Sequence, residues 1–333
     1  MEIGIENFIA FFRQAGLAAA GAGALWGCVF LFCARRSESE ASQVIFHWIA
    51  RRLELLMYGG IIVATSSWLA LSFLYEAFAH EGITLYPSVE QTVAAFPITA
   101  PGYLLLVFLS CFGLIVQLIW PRVFNHISFG YFLALFATLL FLTGLSSAWT
   151  GDLSSEKGFF VIHGVHSIFT LGTVVVLDFL ILTSKPHRII QQHVFPLFPW
   201  ISAVIWVGLG FDFLSVALVF DQAFMETSRF FFSQTVIGIL IINGTLLSGP
   251  ITRKILGSLE LGFESIGRRW MTVAELAGVI SITSWTAITF VDFFPEVPFS
   301  YPQLIGLYVL VVVVLFSGHY LWERLHSCES RAV

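Results

Sequence analysis

Nine long apolar stretches follow one another along this chain of 333 residues, separated by more polar connections. A helix rises about 1.5 Å per residue, so roughly 20 residues cross the ~30 Å hydrocarbon core of a bilayer. Lipid offers no hydrogen-bond partners to the backbone, which favours helices for such stretches. The sequence therefore predicts an all-α, polytopic transmembrane helix bundle of about nine spans, near residues 15–34, 55–75, 100–120, 127–148, 159–183, 196–220, 230–250, 271–291 and 303–322.

The composition agrees with a membrane environment. Hydrophobic residues make up 57% of the chain and charged residues only 11%, with a mean hydropathy of +0.87, whereas soluble domains carry about 25% charged residues. The sequence has no run of basic residues that would indicate a nucleic-acid partner. The expected partner is the lipid bilayer. We expect a single transmembrane domain over residues 1–333, with four spans in residues 1–150 and five in residues 151–333.

Basic residues are distributed unevenly over the two sides that these spans define. Thirteen of the 16 Lys and Arg residues fall on one side, and only Arg13, Lys157 and Arg229 fall on the other. Cytoplasmic loops are enriched in Lys and Arg. We therefore expect the N-terminus outside the cytoplasm and the C-terminus inside it.

The first span has the features of a retained helix that packs inside the bundle. Acidic Glu2 and Glu6 precede it and Arg35 and Arg36 follow it, which is the reverse of the charge order in a cleaved signal peptide. Small residues let helix backbones approach closely when they recur every four positions. Two such series occur here: Gly16, Ala20 and Ala24, and Gly23 and Gly27.

Two segments on the predicted inner side mix apolar and basic residues. Residues 41–54 combine Val44, Ile45, Trp48 and Ile49 with a pair of arginines, and residues 252–269 have a similar character. This mixture is typical of amphipathic helices that lie in the membrane interface. We expect the first of them to lead into the second span.

Ionisable side chains within the spans are the main candidates for function. They are costly at bilayer depth and usually face the bundle interior or a water-filled path. In span five, Ser167, Thr170, His166 and Asp178 share with His163 a face of about 120° at 100° per residue. The candidates in the other spans are Asp212, Asn243, Glu275 and His319.

These residues predict either a metal site or a path for a small cation. His163 and His166 lie at positions i and i+3 near the predicted outer side, where they can chelate a transition metal ion together with a carboxylate. Chains of Asp, Glu and His also form proton relays and cation paths. The members of the predicted path are Asp178, Asp212, Asn243, Glu275 and His319.

Two other interpretations fit the same residues. Asp178 and Glu275 can pair with bases at the inner ends of the helices and only fix the depth of their spans, because buried polar contacts also serve packing. A b-type haem needs axial ligands from facing helices at matching depth. The available pairs are His163 or His166 with an outer partner, and His319 with His126.

Motifs of soluble enzymes do not occur in this sequence. It has no G-x-S-x-G, no H-E-x-x-H and no glycine loop that cradles phosphate. The glycines of WVGLGFDF, Gly208 and Gly210, are expected to pack within a helix. We therefore do not expect an enzyme of these classes.

The C-terminal half carries a family resemblance. The segments HGVHSIFTLGTVVVLDFLIL (163–182), WISAVIWVGLGFDFLS (200–215), VIGILIINGTLLSGPI (236–251) and LAGVISITSWTAITF (276–290) occur in this order. Together they resemble a group of uncharacterised bacterial multi-pass membrane proteins, and they are distantly similar to the CopD copper-resistance type. The resemblance implies a protein of the bacterial inner membrane with a histidine early in one span, His163 or His166, and Asp178 late in it. The CopD type further implies copper handling.

The leading functional hypothesis is the movement or binding of a small cation, either a metal ion or a proton. It depends on the polar face of span five and on the acidic character of the predicted outer side, whose negative field concentrates cations. One alternative is a haem- or quinone-linked electron carrier of the membrane. The other is a non-catalytic subunit of a larger membrane complex, with other membrane subunits as partners.

Overall fold

The computed structural model describes residues 5–81, 96–148, 165–184, 188–219, 226–258, 268–292 and 298–329. Every regular element in these ranges is helical. The all-α class predicted from the sequence is therefore confirmed for the part of the chain that the structure describes. The chain forms two compact units, which divide between residues 220 and 221.

The first unit contains seven α-helices within its described residues. The fifth helix, α5, covers residues 165–184 and includes a π-helical turn at Ile168–Gly172 before its α-helical part, Thr173–Ser184. A short 3-10 turn, Phe195–Leu197, joins the last two helices. The other helices are α1 (Ile5–Arg36), α2 (Glu40–Glu81), α3 (Phe96–Ile119), α4 (Pro121–Ala148), α6 (Arg188–Val194) and α7 (Phe198–Val219).

The second unit contains four α-helices within its described residues. They are α8 (Ser228–Leu246), α9 (Thr252–Ser258), α10 (Arg268–Asp292) and α11 (Tyr301–Glu329). A π-helical turn, Leu247–Ile251, joins α8 to α9 and contains Pro250. Proline lacks the backbone N–H that an α-helical hydrogen bond needs, and the wider turn accommodates it.

Eight of the described helices are long and apolar enough to cross a membrane. They correspond to eight of the nine predicted spans. The remaining prediction, residues 159–183, falls partly outside the described residues, and its described part contains a shorter apolar helix, Val165–Ile181. The number of spans and their orientation stay predictions.

The contact between α1 and α2 depends on small residues, as the sequence indicates. A Cβ atom placed on Gly16 would lie 2.7 Å from the Gly60 carbonyl oxygen and 2.7 Å from the Ala64 nitrogen. Leu17, Ala20 and other residues of the first span are fully buried. The expectation that this span packs inside the bundle is therefore confirmed.

Residues 41–54 are helical and lead into the second predicted span, as expected, while their position in the membrane interface stays a prediction. They form the first part of α2, which continues without interruption to Glu81. No glycine or proline lies between Glu40 and Tyr58 to break the helix. Ile49 and Leu53 are fully buried, so packing stabilises this part of the helix within the first unit.

Two helix starts show how local sequence sets the boundaries. Pro121 begins α4 directly after Trp120, and proline is well suited to the first helical position because its fixed φ angle matches the helix. Thr227 caps α8 by accepting a hydrogen bond from the Phe230 backbone N–H at 3.2 Å. Such a cap satisfies one of the free N–H groups of a helix start.

Candidate functional site

A carboxylate and an imidazole face each other in the second unit. An oxygen of Glu275 on α10 lies 3.9 Å from Nε2 of His319 on α11. Both side chains are mostly covered, with 18% and 27% of their surfaces exposed, respectively. The sequence identified both residues as candidates, and the structure brings them together as the inner pair, the name used below for Glu275 and His319.

The inner pair lies near the ends of its helices that carry basic residues. Glu275 follows Arg268 by seven residues and His319 precedes Arg324 by five, which corresponds to about 10 Å and about 8 Å along the helix axes. Both groups therefore occupy similar levels. By the distribution of bases, this is the predicted inner half of the bilayer.

Asn243 contributes to the packing of the helix that carries Glu275. Its side-chain amide donates a 2.8 Å hydrogen bond to the Ala277 carbonyl oxygen, and its side chain is buried. A second polar contact joins Ser284 to the Tyr308 hydroxyl at 2.8 Å. Hydrogen bonds of this kind join α8 to α10 and α10 to α11.

The polar face of α5 is buried in the first unit. His166, Ser167 and Thr170 are each at most 6% exposed. Gln14 on α1 donates a 2.8 Å hydrogen bond to the Ser167 hydroxyl. Thr170 donates to the His166 backbone carbonyl at 3.0 Å. The expectation that these three residues face protein is therefore confirmed.

Glycines bring the neighbouring helices close to this face. A Cβ atom on Gly208 of α7 would collide with the Thr170 methyl group and would lie 3.9 Å from Cδ2 of His166. A Cβ atom on Gly172 would collide with the Ala18 carbonyl oxygen. The predicted packing role is confirmed for Gly208, but it is wrong for Gly210, where a Cβ atom would meet nothing within 4 Å. Helix α5 lies in direct contact with both α1 and α7.

Asp178 lies on α5 beyond the π-helical turn and is half-buried. Its neighbours Val176 and Leu180 are fully buried. A π-helical turn adds about one residue to a helix, which rotates the following residues by about 100° relative to a continuous α-helix. The angle about the helix axis between Asp178 and the residues before Ile168 therefore differs from the angle calculated for a regular α-helix with 100° per residue.

The structure places the remaining candidates as follows. His163 lies outside the described residues. Asp212 belongs to α7, and its side chain also lies outside what the structure describes. Within the described residues, no group of three or more His, Cys, Asp or Glu side chains is arranged to hold a metal ion. A metal site at His163 and His166 stays a prediction.

The histidines proposed as haem ligands have different surroundings. His126 is exposed on α4 in the first unit, His166 is buried against α7 in the same unit, and His319 contacts Glu275 in the second unit. Haem b as a cofactor also stays a prediction.

The sequence interpretation missed a buried polar network in the first half of α2, around Glu54 and Tyr58. The Gln117 side chain donates a 2.8 Å hydrogen bond to the Glu54 carboxylate, which is 5% exposed. The hydroxyls of Tyr58 and Tyr131 lie 2.7 Å apart. The sequence predicts Glu54 to lie at the end of an interfacial segment. Its position one turn from Tyr58, at the start of the apolar run, is the signal that could have identified it.

Arg13, which the sequence places on the outer side just before the first span, lies within α1 and is 5% exposed. The helix therefore begins several residues before the predicted span, and the side of the membrane on which Arg13 lies stays a prediction.

Comparisons with known proteins give no match: no protein-family model matches the chain, and no curated protein or solved structure does so. The class of protein therefore follows from the fold alone. In the part of the chain that the structure describes, every regular element is helical and eight helices are long and apolar enough to cross a bilayer, which is typical of polytopic helical membrane proteins.

Proposed function

We propose that this protein moves or binds a small cation, and that the cation is a proton handled by the inner pair. The supporting observation is the approach of the Glu275 carboxylate to the His319 imidazole between two apolar helices. We further propose that the protein belongs to a bacterial inner membrane, with its N-terminus outside and the inner pair near the cytoplasmic side.

The chemistry of the two groups supports a proton as the cation. A carboxylate accepts a proton, and histidine changes its charge near neutral pH. The separation of 3.9 Å exceeds the range of about 2.7–3.2 Å for a hydrogen bond to nitrogen. Rotation of one side chain, or a single bridging water, would allow a proton to pass between the carboxylate and the imidazole.

Asp178 in the first unit is a second titratable candidate, proposed separately from the inner pair. It lies on the helix that carries His166, Ser167 and Thr170, whose surroundings are protein rather than lipid. A carboxylate in an apolar helix is energetically unfavourable at bilayer depth, and such residues often mark ion or proton paths. The resemblance to the CopD type makes a copper ion the other candidate for the cation.

Proton flux into vesicles tests this proposal. The purified protein is reconstituted into liposomes with an imposed pH gradient, and a pH-sensitive dye reports its decay. We expect Glu275→Gln and His319→Ala each to lower the flux at least about tenfold. The double variant is expected to be no worse than either single one, because groups that act as a unit are not additive.

Matched controls separate this effect from a general loss of structure. Glu38→Gln and His126→Ala change the same residue types at exposed positions and are expected to keep the flux of the native protein. Unchanged flux in Glu275→Gln, or vesicles with the native protein that behave like empty ones, would refute a proton path. A parallel assay with copper ions distinguishes the two cations.

A further inference from the structure

Arginines from two different helices are held against the same face of α4. The Arg51 guanidinium on α2 donates a 3.0 Å hydrogen bond to the side-chain oxygen of Asn125. The Arg35 guanidinium at the end of α1 lies 4.9 Å from the centre of the Phe129 ring. Asn125 and Phe129 are four residues apart on α4, so they are neighbours on one face of that helix. The two points that hold these arginines therefore lie about one helical turn apart.

A third arginine on this face belongs to α4 itself. Arg122 precedes Asn125 by three residues and Phe129 by seven, and positions with this spacing share one face of a helix. All three arginine side chains are exposed. Like charges repel one another at short distances, so their convergence gives this face a strongly positive potential. Arg35, Arg51 and Arg122 are named the arginine surface below.

The carboxylates of residues 35–54 all belong to residues that the structure describes. Glu38 and Glu40 are exposed, close to the end of α1 and the start of α2. Glu54 is 5% exposed and accepts a hydrogen bond from a side chain of α3. The contacts that hold the arginine surface against α4 are instead with neutral groups, an amide oxygen and an aromatic ring. These contacts fix the positions of the guanidiniums while their charges remain directed toward the surroundings.

Exposed apolar residues adjoin the arginine surface. They lie at the end of α3 and the start of α4: Ile119, Trp120 and Val123 are 59%, 58% and 50% exposed. Aliphatic side chains of this kind suit acyl chains, and tryptophan is enriched at the level of the lipid headgroups. Fixed positive charges beside an apolar surface match a phospholipid better than a free ion, which would use the charges alone.

We propose that the arginine surface binds the headgroup of an anionic phospholipid, whose acyl chains lie along the adjoining apolar residues. A guanidinium presents paired N–H donors that match two oxygens of a phosphate group. Basic pockets between membrane helices on the cytoplasmic side recognise anionic headgroups in this way, and the arginine surface lies on the predicted inner side. Three arginines favour a lipid with two phosphates, such as cardiolipin, over one with a single phosphate. This site lies in the first unit and is independent of the inner pair.

Binding is tested with the full chain in nanodiscs at constant ionic strength. Thermal unfolding is followed by tryptophan fluorescence in pure phosphatidylcholine and in mixtures with increasing fractions of cardiolipin or phosphatidylglycerol. We expect the midpoint to rise and to saturate with cardiolipin, and to need a higher fraction of phosphatidylglycerol for half of the same rise. Inorganic phosphate added to the pure phosphatidylcholine nanodiscs is expected to have no effect.

Variants connect this effect to the arginine surface. Arg35→Gln, Arg51→Gln and Arg122→Gln are each expected to raise the cardiolipin fraction at half-maximal response about fivefold, because one contact with the headgroup is lost. Arg36→Gln and Arg52→Gln are the matched controls. They remove the same charge close by in sequence, but their guanidiniums lie over aromatic rings of their own helices instead of α4. We expect them to change the response by less than about twofold, because exposed charges are screened by salt.

Three results would overturn the proposal. The first is a native protein whose midpoint responds to neither anionic lipid. The second is an equal loss in the control variants and in those of the arginine surface, which would mean a diffuse attraction between net charges. The third is a response to inorganic phosphate as large as the response to cardiolipin, which would mean that a free ion binds. All five arginines are exposed, so their replacement is expected to leave folding intact.

Discussion

Two adjacent glycines of α2 have very different surroundings. A Cβ atom on Gly60 would lie 2.6 Å from the Gly16 carbonyl oxygen and 2.7 Å from the Ala20 nitrogen, both of which are backbone atoms of α1. A Cβ atom on Gly59 meets nothing within 4 Å. Backbone cannot move aside as the end of a side chain can, so the two positions differ sharply in what they tolerate.

Replacing these glycines by alanine is the corresponding test. Gly60→Ala is expected to destabilise the protein by about 1–3 kcal/mol, because the added methyl group forces α1 and α2 apart. Gly59→Ala is expected to have no effect or to stabilise slightly, since alanine favours the helix. Thermal unfolding in detergent measures both. An equal loss in the two variants would contradict the close approach of the two helices.

Individual residues also show where sequence reasoning succeeds and where it stops. Glu275 and His319 are recognisable as candidates because an ionisable side chain in an apolar helix is rare. Their pairing depends on how α10 packs on α11, which no local pattern records. Glu54 is missed because it lies directly before the predicted second span, where a charged side chain is equally common in a polar connection.

At the scale of elements, α5 is held by two neighbours that contact different parts of it. Trp26 on α1 donates a 3.2 Å hydrogen bond to the Thr173 hydroxyl, and Gly172 packs on Ala18 of the same helix. On α7, Gly208 fits against Thr170. The sequence indicated the polar face of α5, but not its π-helical turn, because such a turn depends on tertiary contacts rather than on a local motif.

Valine substitutions on α7 test this packing. Gly208→Val is expected to lower the free energy of unfolding by about 1–3 kcal/mol, because the side chain collides with Thr170. Gly210→Val is the matched control, since a Cβ atom there meets nothing within 4 Å. Thermal unfolding followed by tryptophan fluorescence measures the difference. Similar stabilities of the two variants would show that α7 does not approach α5 as described.

At the scale of the whole molecule, the open question is whether the fifth predicted span crosses the bilayer. With nine crossings, 13 of the 16 basic residues fall on one side. Without the fifth crossing, ten of them fall on the side that holds Arg13 and six on the other. Because cytoplasmic loops are enriched in Lys and Arg, the more uneven of the two distributions is the expected one, and it favours nine crossings.

Two exposed glutamates decide this number of crossings by labelling. Glu38 lies between α1 and α2, and Glu226 lies before α8. Five predicted spans separate them, so they lie on opposite sides if span five crosses and on the same side if it does not. Each glutamate is replaced by cysteine in a variant that lacks the native cysteines. Spheroplasts, whose outer membrane has been removed, are then treated with a membrane-impermeant maleimide. We expect Glu226→Cys to react at once and Glu38→Cys to react only after permeabilisation. Equal behaviour of the two variants would mean an even number of crossings between them, which would contradict a fifth crossing and with it the proposed role of Asp178 as a titratable group within a membrane span.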